Sequence, residues 1–258
     1  MDDNAMFARR PRLRHLYRGD APGLLIVPLD HAIGAGPLRH RGDLDTLVAE
    51  IAANGADAVV LHKGALRRLR PHRIGRLCLV LHLNASTGLA RDPDAKYPVA
   101  TVEEALRLGA DAVSVHVNLS SRTEDRQVAH LAEVSRDCQR WGVPLLAMMY
   151  VRGPDVLDGT APRLVEHAVT VAAELGADLV KTSLPADPAE IAAITAGCPV
   201  PVLAAGGTGA TPRSLAVAVR AGAGGIAAGR AVFTAPDPGA MVRQLAAVVH
   251  DRTPAAAR

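Results

Sequence analysis

One short phrase recurs along this chain: an amphipathic helix, a glycine, a small residue, then an apolar run of strand length. It stands at Gly55-Ala56-Asp57, Gly109-Ala110-Asp111, Gly176-Ala177-Asp178 and Gly222-Ala223-Gly224. A glycine just past a helix supplies the left-handed residue that ends it. A run that is apolar on both faces is a strand covered on both faces, as in a parallel sheet. Helices alternating with parallel strands leave right-handed βαβ crossovers as the connection. The phrase confines the chain to α/β folds.

Strand-length apolar runs lie at 24–29, 58–61, 77–83, 112–117, 143–149, 177–183, 200–205 and 224–228. Helical periodicity fills most of the gaps between them. Asp43 opens a helix to about Asn54, and Thr101 with Glu104 forms a capping box for 102–108. Further helices are expected at 125–141, 162–175, 187–195, 212–221 and 237–250. Eight strands in 258 residues suit a single closed (β/α)8 TIM barrel. The barrel is expected over 23–250, after an N-terminal arm at 1–22 with one short helix and before a disordered tail at 251–258.

The core must be aliphatic, because 49% of residues are hydrophobic and only 2% aromatic. That scarcity of rings argues against a nucleic-acid partner held by stacking. A net charge of +3 without a long basic run points the same way. Cys78, Cys138 and Cys198 form no CxxC pair, so neither a disulfide framework nor a zinc knuckle is expected. The absence of long apolar runs gives an expectation of a cytoplasmic protein with no membrane partner.

Polar residues gather where the expected strands end: Asp30 and His31, His62 and Lys63, His82, His116, Tyr150, Lys181, Gly206-Gly207 and Gly229-Arg230. That rim of a barrel is where its chemistry is built. A lysine at a strand end can snorkel to solvent. In an apolar pocket it can instead lose its proton and attack a ketone to form a Schiff base. Lys181 is placed to be that amine, Tyr150 to carry a proton, and Asp30 to close the ring of groups between the first and last strands. Lys63 could assist by its charge. The glycine-rich turns after strands seven and eight, with Thr208, Thr211 and Arg230, suit a phosphate. The histidines ending strands one to four leave a metal-dependent lyase or hydrolase open. The lack of HxH or HxxxH spacing argues against a metal, and no other cofactor is expected. A sugar-phosphate-binding barrel without catalysis is a third reading.

The stretches Val27-Pro28-Leu29-Asp30-His31, Leu61-His62-Lys63-Gly64, Gly109 through Asn118, Pro144 through Tyr150 and Val180-Lys181-Thr182-Ser183 resemble the archaeal-type class I aldolase family, from about Leu13 to His250. That family includes archaeal fructose-bisphosphate aldolases and aminodideoxyheptulosonate synthases. Phe7-Ala8-Arg9, Asp92 through Tyr97 and Ala235 through Met241 are similar to a bacterial branch serving 3-amino-4-hydroxybenzoate biosynthesis. The resemblance implies a metal-free condensation of dihydroxyacetone phosphate with L-aspartate 4-semialdehyde, in a homo-oligomer. It implies Lys181 as the Schiff-base residue, Tyr150 as proton donor and Asp30 as proton acceptor. It implies substrate contacts from Asp30, His31, Ala32, Ile33 and Gly34, from Tyr150, Val151, Arg152 and Gly153, and from Gly206, Gly207, Gly229 and Arg230. Two departures fall at the expected phosphate site. Thr208 and Gly209 stand where the family often has proline or lysine, and Ala231 where it often has asparagine.

Overall fold

The computed structural model describes residues 3–18, 21–38, 42–207 and 209–251. The strands are β1 (Leu24–Pro28), β2 (Ala58–Leu61), β3 (Cys78–His82), β4 (Ala112–Leu119), β5 (Leu145–Val151), β6 (Leu179–Thr182), β7 (Val202–Ala205) and β8 (Gly225–Ala227). They form a closed barrel in sequence order. All the pairs are parallel, and Leu25 of β1 lies opposite Ile226 of β8 where the ring closes.

Strand residues alternate between two cores, as the period of two requires. Leu25, Val27, Val59, Leu81, Val113, Ala147 and Val180 face the surrounding helices. Leu24, Ile26, Val60, Val80, Leu146, Met148, Leu179 and Leu203 fill the barrel interior. The helices are α1 (Asp3–Leu16), α2 (Leu44–Ala53), α3 (Val102–Arg107), α4 (Glu124–Trp141), α5 (Pro162–Glu174), α6 (Pro188–Gly197), α7 (Pro212–Arg220) and α8 (Pro238–His250). Local signals set several of their ends. The Asp43 side chain accepts from Thr46 N, and both bonds of the Thr101–Glu104 capping box form. Gly55, Gly109, Gly176 and Gly222 all have positive φ.

Three features depart from the sequence expectations. The arm contains a helix of 14 residues, α1, which runs through Pro11. Between β2 and β3 the chain makes only the single turns Lys63–Leu66 and Pro71–Ile74. After β3 it makes a small antiparallel pair, Asn84–Ala85 with Tyr97–Pro98, which period analysis does not reveal. Of the expected tail, residues 252–258 lie outside the described residues.

The repeated phrase has a second role. Asp57, Asp111 and Asp178 each accept a hydrogen bond from the backbone of the preceding strand, at Leu25 N, Leu79 N and Leu145 N, at 2.6, 2.8 and 2.7 Å. Each also meets a basic side chain from the N-terminal segment: Arg18 on Asp57, His15 on Asp111 and Arg9 on Asp178. Leu16 of α1 is buried in the interior cluster. The segment closes the base of the barrel, leaving the other mouth for chemistry.

Candidate active site

Alternation decides where the lysine points. Leu179 faces the interior and Val180 the helices, so Lys181 faces the interior again, one layer nearer the open mouth. Only 8% of Lys181 is exposed, and its Nζ lies 3.9 Å from Met148 Sδ. Tyr150 follows Met148 on the same inward face of β5. Its ring packs against His116, with centroids 4.9 Å apart, and the Arg152 guanidinium lies 4.4 Å from its centroid.

Asp30 follows β1. Its Oδ2 lies 3.7 Å from His82 Nε2 and its Oδ1 3.6 Å from His31 Nδ1. Burial acts to raise its pKa, but His82, His31, Lys181 and His62 together outweigh that and hold the carboxyl well below the usual carboxylate range. Asp30 is therefore an anion at neutral pH. Its Oδ1 is buried without a hydrogen-bond partner. An anionic oxygen left in that state is costly and stays free to receive a proton. His82 is positioned by a 2.8 Å contact between Nδ1 and Ser114 Oγ. Burial, with help from His62 and Lys181 and against the pull of Asp30, pushes its pKa down to about 4. Burial likewise lowers His31, His62 and His116.

The glycines after β7 and β8 are required by close approach. A Cβ on Gly206 would stand 2.5 Å from Ala228 Cβ, and one on Gly229 would stand 2.3 Å from Pro28 O and 2.7 Å from His31 Cε1. Arg230 is exposed at the rim and begins the single turn Arg230–Phe233. Thr208 lies outside the described residues. Thr211 is engaged in capping α7, where its side chain accepts from Ser214 N.

A cavity of about 310 Å³ occupies the mouth. Of the residues singled out from sequence, Asp30, His31, Ile33, Gly34, His62, His82, His116, Tyr150, Arg152, Lys181, Gly206, Gly207, Gly229 and Arg230 line it. Val151, Gly153, Ala32 and Lys63 do not. Val151 and Gly153 line an adjoining recess beyond Tyr150 and Arg152. Ala32 and Lys63 line a mostly apolar recess with Leu29 and Val99, which adjoins the cavity at Ile33, His62 and His82. Lys63 lies outside the mouth cavity. The single turn it begins carries it outward, and its Nζ bonds Glu104 at 3.1 Å. Among the described residues, the three side chains close enough to share a metal are His15, Cys78 and Asp111, at the opposite end of the barrel.

The cavity also includes Asn84, Ser86 and Lys96, which sequence analysis left without a role. The small strand pair after β3 folds this loop inward. The one signal was the stretch Asp92 through Tyr97, noticed for its resemblance alone.

A family model for DeoC/LacD aldolases matches residues 24–235. The chain is a DeoC/LacD family aldolase. This aldolase is 52% identical, over 97% of its length and 93% of the relative, to 2-amino-4,5-dihydroxy-6-oxo-7-(phosphonooxy)heptanoate synthase of Streptomyces griseus. It is 42% identical, over 88% of its length and 87% of the relative, to 2-amino-3,7-dideoxy-D-threo-hept-6-ulosonate synthase of Halobacterium salinarum. One similar solved structure is an archaeal fructose-1,6-bisphosphate aldolase with its catalytic lysine bound to a carbinolamine intermediate. It matches at a TM-score of 0.81 and 30% identity, covering 93% of this chain and 99% of that one. The aldolase is of the Schiff-base, class I kind.

The buried histidines set a pH dependence of stability. The folded His82 has a pKa of about 4 against an ordinary 6.5 in the unfolded chain. Between those values the unfolded chain takes up a proton that the folded aldolase does not. Stability is therefore full above the unfolded pKa, falls as pH drops through 6.5, and levels off below the folded value, for a loss of up to roughly 3 kcal/mol. His31, His62 and His116 add with the same sign. Urea unfolding at pH 7.5 and pH 5, a window in which ordinary carboxylates stay ionised, should show a clear loss at pH 5. Equal midpoints would mean that these histidines are not held neutral.

Proposed function

We propose that this aldolase condenses dihydroxyacetone phosphate with L-aspartate 4-semialdehyde to give 2-amino-4,5-dihydroxy-6-oxo-7-(phosphonooxy)heptanoate, a precursor in secondary metabolism. The observation that carries the chemistry is Lys181, buried on the inward face of β6 in one cavity with Asp30 and Tyr150. The choice of substrates is supported by the similarity to the S. griseus synthase.

The Lys181 amine attacks the ketone carbon of dihydroxyacetone phosphate. Loss of water from the carbinolamine leaves an iminium. The cationic nitrogen acidifies the adjacent hydroxymethyl carbon, and Asp30 takes its proton. The resulting enamine attacks the aldehyde carbon, forming the carbon–carbon bond and regenerating the iminium. Tyr150 protonates the new alkoxide. Water then releases the product from Lys181. The backbone at Gly206, Gly207 and Gly229, with the Arg230 guanidinium, faces the same cavity and suits the donor phosphate. The homo-oligomer expected from the resemblance and the cytoplasmic setting expected from the sequence belong to the same reading.

Incubation with both substrates should yield the phosphorylated seven-carbon product by mass spectrometry, in the presence of EDTA as in its absence. Cleavage of fructose 1,6-bisphosphate faster than this condensation would favour the fructose-bisphosphate aldolase reading instead.

A further inference from the structure

We infer that Lys96 anchors the carboxylate of the aldehyde acceptor, so that the loop after β3 selects an amino-acid aldehyde. This inference rests on the proposed condensation and deepens it.

The cavity has two cationic ends. Arg230 lies after β8, beside the glycines of β7 and β8. Lys96 and Arg152 come from the loops after β3 and β5, across the ring of strands. Lys181 rises from β6 between them. The two substrates carry one phosphate and one carboxylate, and their reacting carbons must meet at Lys181. With the phosphate at the β7–β8 end, the carboxylate falls to the β3–β5 end.

At that end Lys96 has the features of an anion site. It is half-buried, and among the described residues its hydrogen bonds go to neutral oxygens, Ser86 Oγ at 2.6 Å and Pro93 O at 3.1 Å. Burial lowers its pKa, with Arg152 acting the same way and Asp94, Asp92 and Asp30 acting against it. Other contacts hold the loop besides those of Lys96. The Asp94 carbonyl accepts from Asn118 Nδ2 at 2.8 Å and Gln127 Nε2 at 3.0 Å. Val99 N and Ala100 N donate to Leu83 O at 2.8 and 3.1 Å. Held by neutral contacts and facing the cavity, this amine has no carboxylate bonded to it among the described residues, and an incoming anion would supply one.

The test compares two acceptors in wild type, Lys96→Met and Lys96→Arg. L-Aspartate 4-semialdehyde carries the carboxylate; 3-aminopropanal is the same aldehyde without it. In Lys96→Met, kcat/KM for the semialdehyde should fall about ten- to a hundredfold, mainly through KM, as expected for a lost charge-assisted contact. The preference over 3-aminopropanal should shrink by the same factor, and Lys96→Arg should restore part of it. Borohydride trapping with dihydroxyacetone phosphate alone reports the donor half-reaction, which Lys96→Met should retain. Equal losses on both acceptors, or a raised KM for dihydroxyacetone phosphate, would overturn the assignment. A wild type that traps the donor but ignores the semialdehyde would overturn the proposed substrate pair and this inference with it. Normal wild-type turnover with an unchanged preference in Lys96→Met would overturn the inference alone.

Discussion

Lys181→Arg should lose covalent trapping and turnover together. Borohydride added to the wild type with dihydroxyacetone phosphate should reduce the iminium to a stable secondary amine, and peptide mass mapping should place it on Lys181. Arginine keeps a positive charge at the same point of β6 but stays protonated and supplies no free amine. Turnover should fall by at least about 10⁴-fold, the scale of losing a covalent nucleophile. The site is tight, with Met148 Sδ 3.9 Å from the amine. Lys181→Met therefore accompanies the arginine variant as a shape match without charge. Both should remain folded by circular dichroism. An adduct on Lys96, the other lysine lining the cavity, would exchange the roles assigned here. Trapping that survives in both variants would remove Lys181 from the mechanism.

Asp30→Asn should separate Schiff-base formation from carbon–carbon bond formation. The wild-type carboxylate is held ionised, and its Oδ1 is buried with no hydrogen-bond partner. The amide keeps the shape but cannot accept a proton from carbon. The condensation rate should drop by about 10²–10⁴-fold, the usual worth of a positioned general base. Borohydride trapping with dihydroxyacetone phosphate should persist, because Lys181 is intact. Exchange of the donor's hydroxymethyl hydrogen with deuterated solvent should fall with the condensation. Exchange at the wild-type rate would assign proton removal to another group, with Tyr150 the next to test. In the wild type, lowering pH from 7 to 5 should cost nothing through Asp30, since its pKa lies far below that range.

Much of this design is readable from near neighbours in the chain. The Asp43 cap, the Thr101–Glu104 box and the glycine after each repeated helix depend on residues one to four positions apart, and the structure forms them as the sequence indicates. The inward aim of Lys181 follows from the two-residue period of its own strand. Lys63 shows where such reasoning ends. It lies two residues past β2, yet the turn it begins takes it to Glu104, a partner that local spacing cannot reveal. Lys96 is the converse, a loop residue brought to the cavity by the pairing of Tyr97–Pro98 with Asn84–Ala85.

The sequence by itself determined the alternation of helices and strands, the parallel barrel and the rim on which the polar residues stand. Steric limits, capping and burial patterns act over a few residues, and the chain writes them directly. Only the tertiary structure decided which rim residues share one cavity. It also decided that Asp30 sits among His82, His31 and Lys181, and that Asp57, Asp111 and Asp178 receive the N-terminal segment at the base. These outcomes depend on ring closure and loop path. Both bring together groups far apart in sequence, whose charges and desolvation act through space rather than along the chain.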